Sequence, residues 1–336
     1  MNICVHKRTF KIRIKEIIFV ALCICQFSCN KNIIEQQPTL RVDDITLPVT
    51  TALNSVYFVN IKTGFIAGNM GQILKTKDGA NTWENISIEK KIKINTIRFS
   101  NDNDGFIGTS TGIMKTADGG KTWVSVLSGC NINALFNENI SSNVYAAGNI
   151  GIMGTIWESS DLGMTWNALK LPISPKSPPI LHAIQFLDKD TAYAGGNESC
   201  LLQTVNGGKT WTYCQSLKTE NITDFHFTNF GHGYITFDTG KLFEMTKNGR
   251  GITINASIQY PIHSIAYLNE TGIAVGKNCI YKNEAGFDSE RGLWSYILSS
   301  SGVSFQKTYY DICFADGSIA YAVGENGTLS RLYIEN

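Results

Sequence analysis

The chain has 336 residues, 43% hydrophobic and 17% charged, which is too apolar for a disordered polymer and ample for a large core. Residues 1–28 hold five basic side chains and one acidic one, so the remainder carries 24 basic against 27 acidic groups, a net charge of −3. With no basic excess to meet phosphates, a nucleic-acid partner is disfavoured.

The first element is a targeting segment. Lys7, Arg8, Lys11, Arg13 and Lys15 precede the apolar run IIFVALCICQFS at 17–28. Its 12 residues fall short of the roughly 20 that cross a bilayer, so 1–28 reads as a secretory signal. Ser28-Cys29 resembles the bacterial lipobox, in which the cysteine is lipidated and becomes the mature N-terminus. Gln26 stands where an aliphatic residue is usual; the alternative is ordinary cleavage that leaves a free thiol. The expectation is a lipoprotein of the bacterial cell envelope, anchored to the membrane through Cys29, with 29–38 as tether.

Next comes an isolated strand, LRVDDITLPV (40–49), and then a unit that recurs seven times. The phrase GFIAGNMGQILKT (64–76) returns as GFIGTSTGIMKT (105–116), VYAAGNIGIMGTIWES (144–159), AYAGGNESCLLQT (192–204), GYITFDTGKLFEMT (233–246), GIAVGKNCIYKN (272–283) and AYAVGENGTLSRL (320–332). Anchored on Gly68, Thr109, Gly148, Gly196, Phe237, Gly276 and Gly324, the steps are 39 to 48 residues. Periods near 40 mark propeller blades or helical solenoids. β-branched and aromatic residues with alternating polarity decide for strands. Each unit opens on a leading strand such as LNSVYFV (53–59), INTIRFS (94–100) or YYDICFA (309–315). Four strands in each of seven units predict an all-β, seven-bladed propeller over 39–336. The last unit stops at its third strand, so strand 40–49 is expected to complete it and close the ring, leaving no open edge.

The third turn of the units carries a motif: TKDGANTW (76–83), TADGGKTW (116–123), SSDLGMTW (159–166) and TVNGGKTW (204–211). It resembles the Asp-box, the bacterial neuraminidase repeat. A carboxylate in a tight turn accepts hydrogen bonds from nearby backbone N–H groups, glycine supplies positive φ, and the indole covers the hairpin. Asp78, Asp118 and Asp161 with Trp83, Trp123 and Trp166 are therefore read as structural. Asn206, with Trp211, can replace the aspartate as acceptor but not as a catalytic acid.

The leading strand I-x-x-I-x-F, the G-φ-φ-φ-G strand and the Asp-box turns together resemble the photosystem II stability/assembly factor-like proteins. That resemblance implies a seven-bladed propeller that binds and assembles proteins rather than catalysing a reaction. The arginine-rich patch of the photosynthetic members has no counterpart in Arg41, Arg98, Arg250, Arg291 and Arg331, which are scattered over the ring.

Three function classes follow. The first is a non-catalytic binding or assembly module, taking a protein or glycan partner at the channel mouth. There the second residue of each leading strand is polar: Asn54, Asn95, Asn133, His182, Thr223, His263 and Tyr310. The opposing reading is simple solvation of the entrance. The second is a glycan-active hydrolase or lyase using Asp224 and Asp311, which occupy equivalent positions in leading strands five and seven; against it, both carboxylates can serve as acceptors for local donors. A sialidase is disfavoured by the scattered arginines and the blade number. The third is a surface adhesin. His226 and His232 lack a third ligand at metal spacing, so neither metal nor cofactor is expected. Cys200 and Cys214 flank one hairpin and are a candidate disulfide.

Overall fold

The structure, a computed structural model, describes residues 40–137, 143–172, 179–214, 220–228, 232–246, 251–254, 260–269, 271–283, 294–297 and 306–334. The targeting segment, Cys29, the tether, Arg250, Arg291 and most of the proline-rich stretch 171–180 lie outside these residues.

Seven four-stranded antiparallel sheets form the predicted ring of blades. In blade 1 the strands are Leu53–Phe58, Gly64–Gly68, Ile73–Thr76 and Glu84–Asn85, running from the channel outward. The innermost strands of blades 2 to 7 are Ile94–Phe99, Asn131–Asn137, Leu181–Phe186, Ile222–Phe227, Ile262–Leu268 and Tyr309–Phe314. Blade 7 is completed from the N-terminal side. Arg41–Asp44 pairs antiparallel with Leu329–Tyr333, with Val42 opposite Leu332. The Ser330 hydroxyl donates to Asp44 at 2.8 Å and Lys307 forms an ion pair with the same carboxylate. The orphan strand thus closes the ring as its sequence foretold.

The second strand of each blade is sandwiched between neighbouring blades, and this explains why it reads as an unbroken apolar run rather than an alternating one. Gly64–Gly68 and Ala192–Gly196 are buried at every position. The apolar side chains form seven clusters, one at each blade–blade interface. Phe65, Ile73, Ile94 and Ile107 join blades 1 and 2, for example, and Leu53, Phe58, Tyr321 and Val323 join blades 1 and 7. The clusters lie between blades rather than within them, so each blade buries its apolar faces against its neighbours and ring closure supplies the interface of blades 1 and 7. The glycine ending most second strands is set by close approach: a Cβ at Gly68 would lie 2.2 Å from the Ala52 carbonyl oxygen, and one at Gly324 would lie 1.9 Å from that of Thr308.

The candidate disulfide is corrected here: Cys200 and Cys214 are both free thiols. The ladder sets Cys214 against Leu201, whose carbonyl accepts its N–H at 2.9 Å. Cys200 is therefore one residue out of register and points to the other face. It packs with Leu202 and Trp211, whereas Cys214 packs beside Leu201 and Phe227. Because side-chain direction has a period of two, a one-residue offset puts the sulfurs on opposite sides of the sheet.

Candidate functional site

The channel wall is built by the seven innermost strands, and one irregularity recurs in all of them. Each strand has a β-bulge at its second residue: the register jumps from Leu53 to Ser55, Ile94 to Thr96, Ile132 to Ala134, Leu181 to Ala183, Ile222 to Asp224, Ile262 to Ser264 and Tyr309 to Asp311. The skipped residues are Asn54, Asn95, Asn133, His182, Thr223, His263 and Tyr310. A bulge leaves its extra residue outside the ladder and re-aims the side chain. All seven thereby converge on one cavity of about 560 Å³ at the upper mouth, with Asn69, Asn197 and Asp238 from the second loops and Lys93 beside them.

Most of this ring is tied to the wall. Asn54 Nδ2 donates to the Ile94 carbonyl of the next blade at 2.8 Å. Asn95 reaches the Ile132 carbonyl at 2.8 Å, Asn133 that of Leu181 at 2.7 Å and Thr223 that of Ile262 at 2.8 Å. His263 Nδ1 reaches the Tyr309 carbonyl at 2.7 Å, which fixes Nδ1 as the protonated nitrogen. In five of seven blades the bulged side chain is thus a staple to its neighbour, a role the strand pattern alone did not reveal. His182 and Tyr310 are the exceptions. His182 Nε2 meets Asn197 Oδ1 at 2.7 Å and the Tyr310 hydroxyl donates to Glu325 at 3.3 Å, both within their own blades.

Below the mouth, the residue after the bulge lines the waist in blades 3 to 7. Asp311 accepts from the Ser55 hydroxyl and Val56 N–H of blade 1, both at 2.9 Å, and from Ile312 N–H at 2.9 Å. Asp224 accepts from Ile265 N–H of blade 6 at 3.1 Å and from Phe225 N–H at 2.8 Å. Ser264 Oγ lies between the two carboxyls, 2.8 Å from Asp224 and 3.0 Å from Asp311. One hydroxyl has one proton to donate, so both contacts are favourable only when one carboxyl is itself protonated. Asp224 takes up that proton below about pH 6: burial, then the charge of Asp311, raises it from 3.8 to about 6. These two side chains bridge blades 5, 6, 7 and 1. Asp311, with four donors around its two oxygens, has no lone pair left for acid–base work.

The fifth residue of each strand lines a second cavity of about 460 Å³ toward the opposite opening. It contains Tyr57, Arg98, Phe136, Gln185, His226 and Cys313, beneath Asp224 and Asp311. Gln185 is bonded both ways to the Phe227 backbone, at 2.8 and 2.9 Å. Burial lowers His226 to about 4, so it is neutral at pH 7. This ring was missed as a set, although the last x of I-x-x-I-x-F marks it. Among the described residues no group of three or more His, Cys, Asp or Glu side chains is placed to hold a metal ion.

The Asp-box turns lie on the face of this second opening. Asp118 Oδ1 accepts from Thr116 Oγ1 at 2.8 Å and Thr122 N–H at 2.9 Å, and Oδ2 accepts from Thr122 Oγ1. Asp78 and Asp161 repeat the pattern. These donors, Thr82 and Thr122 foremost, pull Asp78 and Asp118 down to about 2, and Thr165 pulls Asp161 lower still. At Asn206 the amide oxygen keeps the Thr210 N–H at 2.9 Å while Nδ2 donates to Thr210 Oγ1 at 2.8 Å, so the hydroxyl reverses role and the turn survives. Trp83, Trp123 and Trp166 stand edge-on to Phe58, Phe99 and Phe106 at 6.1 to 6.4 Å, and Trp211 is buried between blades 3 and 4.

With this geometry in hand, the family model described as photosynthesis system II assembly factor YCF48 matches residues 34–169. Over that stretch the chain is similar to this family, and the whole of the described ring has its seven-bladed architecture. The structure titled YCF48 bound to D1 peptide superposes with a TM-score of 0.70 at 18% identity, covering 90% of this chain and 100% of that one. YCF48 from Cyanidioschyzon merolae gives 0.69 at 18% identity, covering 87% and 98%. A GH74 enzyme from Niastella koreensis shares the architecture at 0.67 and 12% identity, covering 86% of this chain but 53% of the enzyme. At such identities these structures show the fold. None of the curated proteins matches in sequence.

Proposed function

We propose that this YCF48-like propeller is a non-catalytic binding or assembly module that takes a polypeptide partner at the upper mouth, and that it works in the bacterial cell envelope, held by a lipid on Cys29. The observation that carries the reading is the sevenfold bulge. It brings one polar side chain per blade to a single cavity and holds five of them rigid through carbonyls of the next blade, so little conformational entropy is lost when a partner docks. The YCF48 structure with a bound D1 peptide supports a peptide as the partner class. His182 and Tyr310, not committed to a neighbouring blade, are the specificity candidates.

The competing reading is a glycan-active hydrolase, favoured by the fold shared with GH74 enzymes. The two are separated by one pair of experiments. In-cell crosslinking of the full chain is expected to recover a polypeptide neighbour, and His182→Ala with Tyr310→Ala is expected to lose it while the ring stays folded. Turnover of a polysaccharide panel that disappears with Asp311→Asn would instead establish the hydrolase.

A further inference from the structure

Three arginines fall among the described residues, and two have structural partners. Arg41 pairs with Asp43 and lies over the Tyr333 ring. Arg331 donates to the Gly79 carbonyl at 2.7 Å and to the Tyr321 hydroxyl at 3.0 Å, locking blade 7 onto the first Asp-box. Arg98 differs. Its Nη1 donates to the adjacent Ile97 carbonyl at 2.8 Å and its guanidinium lies 5.3 Å from the Tyr57 ring centre. Among the described residues it makes no ion pair. A half-buried guanidinium without a counter-ion is costly to maintain. Neither carboxyl that shares its cavity pairs with it: Asp311 is held by Ser55, Val56 and Ile312 and Asp224 by Phe225 and Ile265, with Ser264 between the two.

We propose that the lower cavity is a second ligand site, separate from the upper mouth, which binds a small amphipathic anion. A carboxylate or phosphate head sits on Arg98 Nε and Nη2, which bond no described residue, in the fork geometry that such anions match. An apolar body fills the space lined by Leu135, Phe136 and Phe225. His226, across the channel on blade 5, makes no hydrogen bond among the described residues and adds one neutral N–H donor. The volume of about 460 Å³ lies within the range of small-molecule pockets. This inference stands whether or not the upper mouth takes a polypeptide.

Benzoate, phenyl phosphate and neutral benzyl alcohol, titrated into the full chain by calorimetry and ligand-observed NMR, test it. At least one anion is expected to bind tenfold or more tightly than benzyl alcohol, and the tighter anion identifies the head group. Arg98→Gln is expected to weaken it at least tenfold, Arg98→Lys less, and His182→Ala not at all. Equal binding of benzyl alcohol, no binding of either anion, or binding indifferent to Arg98→Gln would overturn the proposal. The comparison of anion with alcohol uses the unaltered chain, so the test holds even if Arg98→Gln does not fold.

Discussion

Replacing Asp224 by asparagine is expected to stabilise the ring above pH 6. The carboxyl rises from 3.8 to about 6 in the folded chain, first through burial and then through Asp311. A raised acid binds its proton more tightly when folded, so its contribution is fully present below about pH 4 and is lost as pH climbs through 6. At 1.36 kcal/mol per pH unit the loss is up to about 3 kcal/mol. Asparagine mimics the protonated carboxyl in part: with Nδ2 in the place of Oδ2 it can donate to Ser264 Oγ while its oxygen keeps the Phe225 N–H, but the Ile265 N–H loses its acceptor, which offsets about 1 kcal/mol of the gain. Thermal unfolding at intervals from pH 4 to 8 measures the effect. The parent should lose stability between pH 4 and 6, and Asp224→Asn should be flatter there and melt about 4 °C higher at pH 8, at roughly 2 °C per kcal/mol for a chain of this size. A variant that keeps the parent slope, or that melts lower at pH 8, would refute the shared proton.

Other perturbations follow from the same geometry. Deleting residues 40–49 removes the closing strand and the buried Leu40 and Leu47, at a cost of about 4 kcal/mol or more from those two side chains alone, read as a lower denaturant midpoint. Asn95→Ala cuts the bonds to Ile132 O and Asn131 and should cost about 1–2 kcal/mol in chemical unfolding, whereas Tyr310→Phe should be near neutral. Leu162, exposed at φ 58° where the other Asp-boxes have glycine, should gain about 0.5–1 kcal/mol on changing to glycine, relief of the left-handed backbone outweighing the added freedom of the unfolded chain.

The blades were legible in the sequence because each repeats a half-buried inner strand and a second strand buried on both faces, and the first three add a turn stapled by a carboxylate, with Asn206 taking that place in the fourth. Closure was legible because Arg41–Asp44 had no partner within its own unit. The polar second residue of each inner strand pointed to the mouth, yet period-two alternation would have turned Thr223 and Asp224 to opposite sides. Only the bulge aims both at the channel, and bulges leave no composition signal. For the same reason the staple role of Asn54, Asn133 and His263 was hidden: their partners are carbonyls some 40 residues away, identical in every sequence. Cys200 and Cys214 misled because flanking one hairpin does not fix register, and one residue of offset separates their faces.

Photo-crosslinking from the upper mouth tests the central claim most directly. With a benzophenone amino acid in place of His182 in the full chain, irradiation in cells should trap one discrete polypeptide, and adding Tyr310→Ala should reduce that adduct tenfold or more. Trapping of glycan alone, or of no neighbour at all from a folded ring, would contradict a polypeptide-binding mouth.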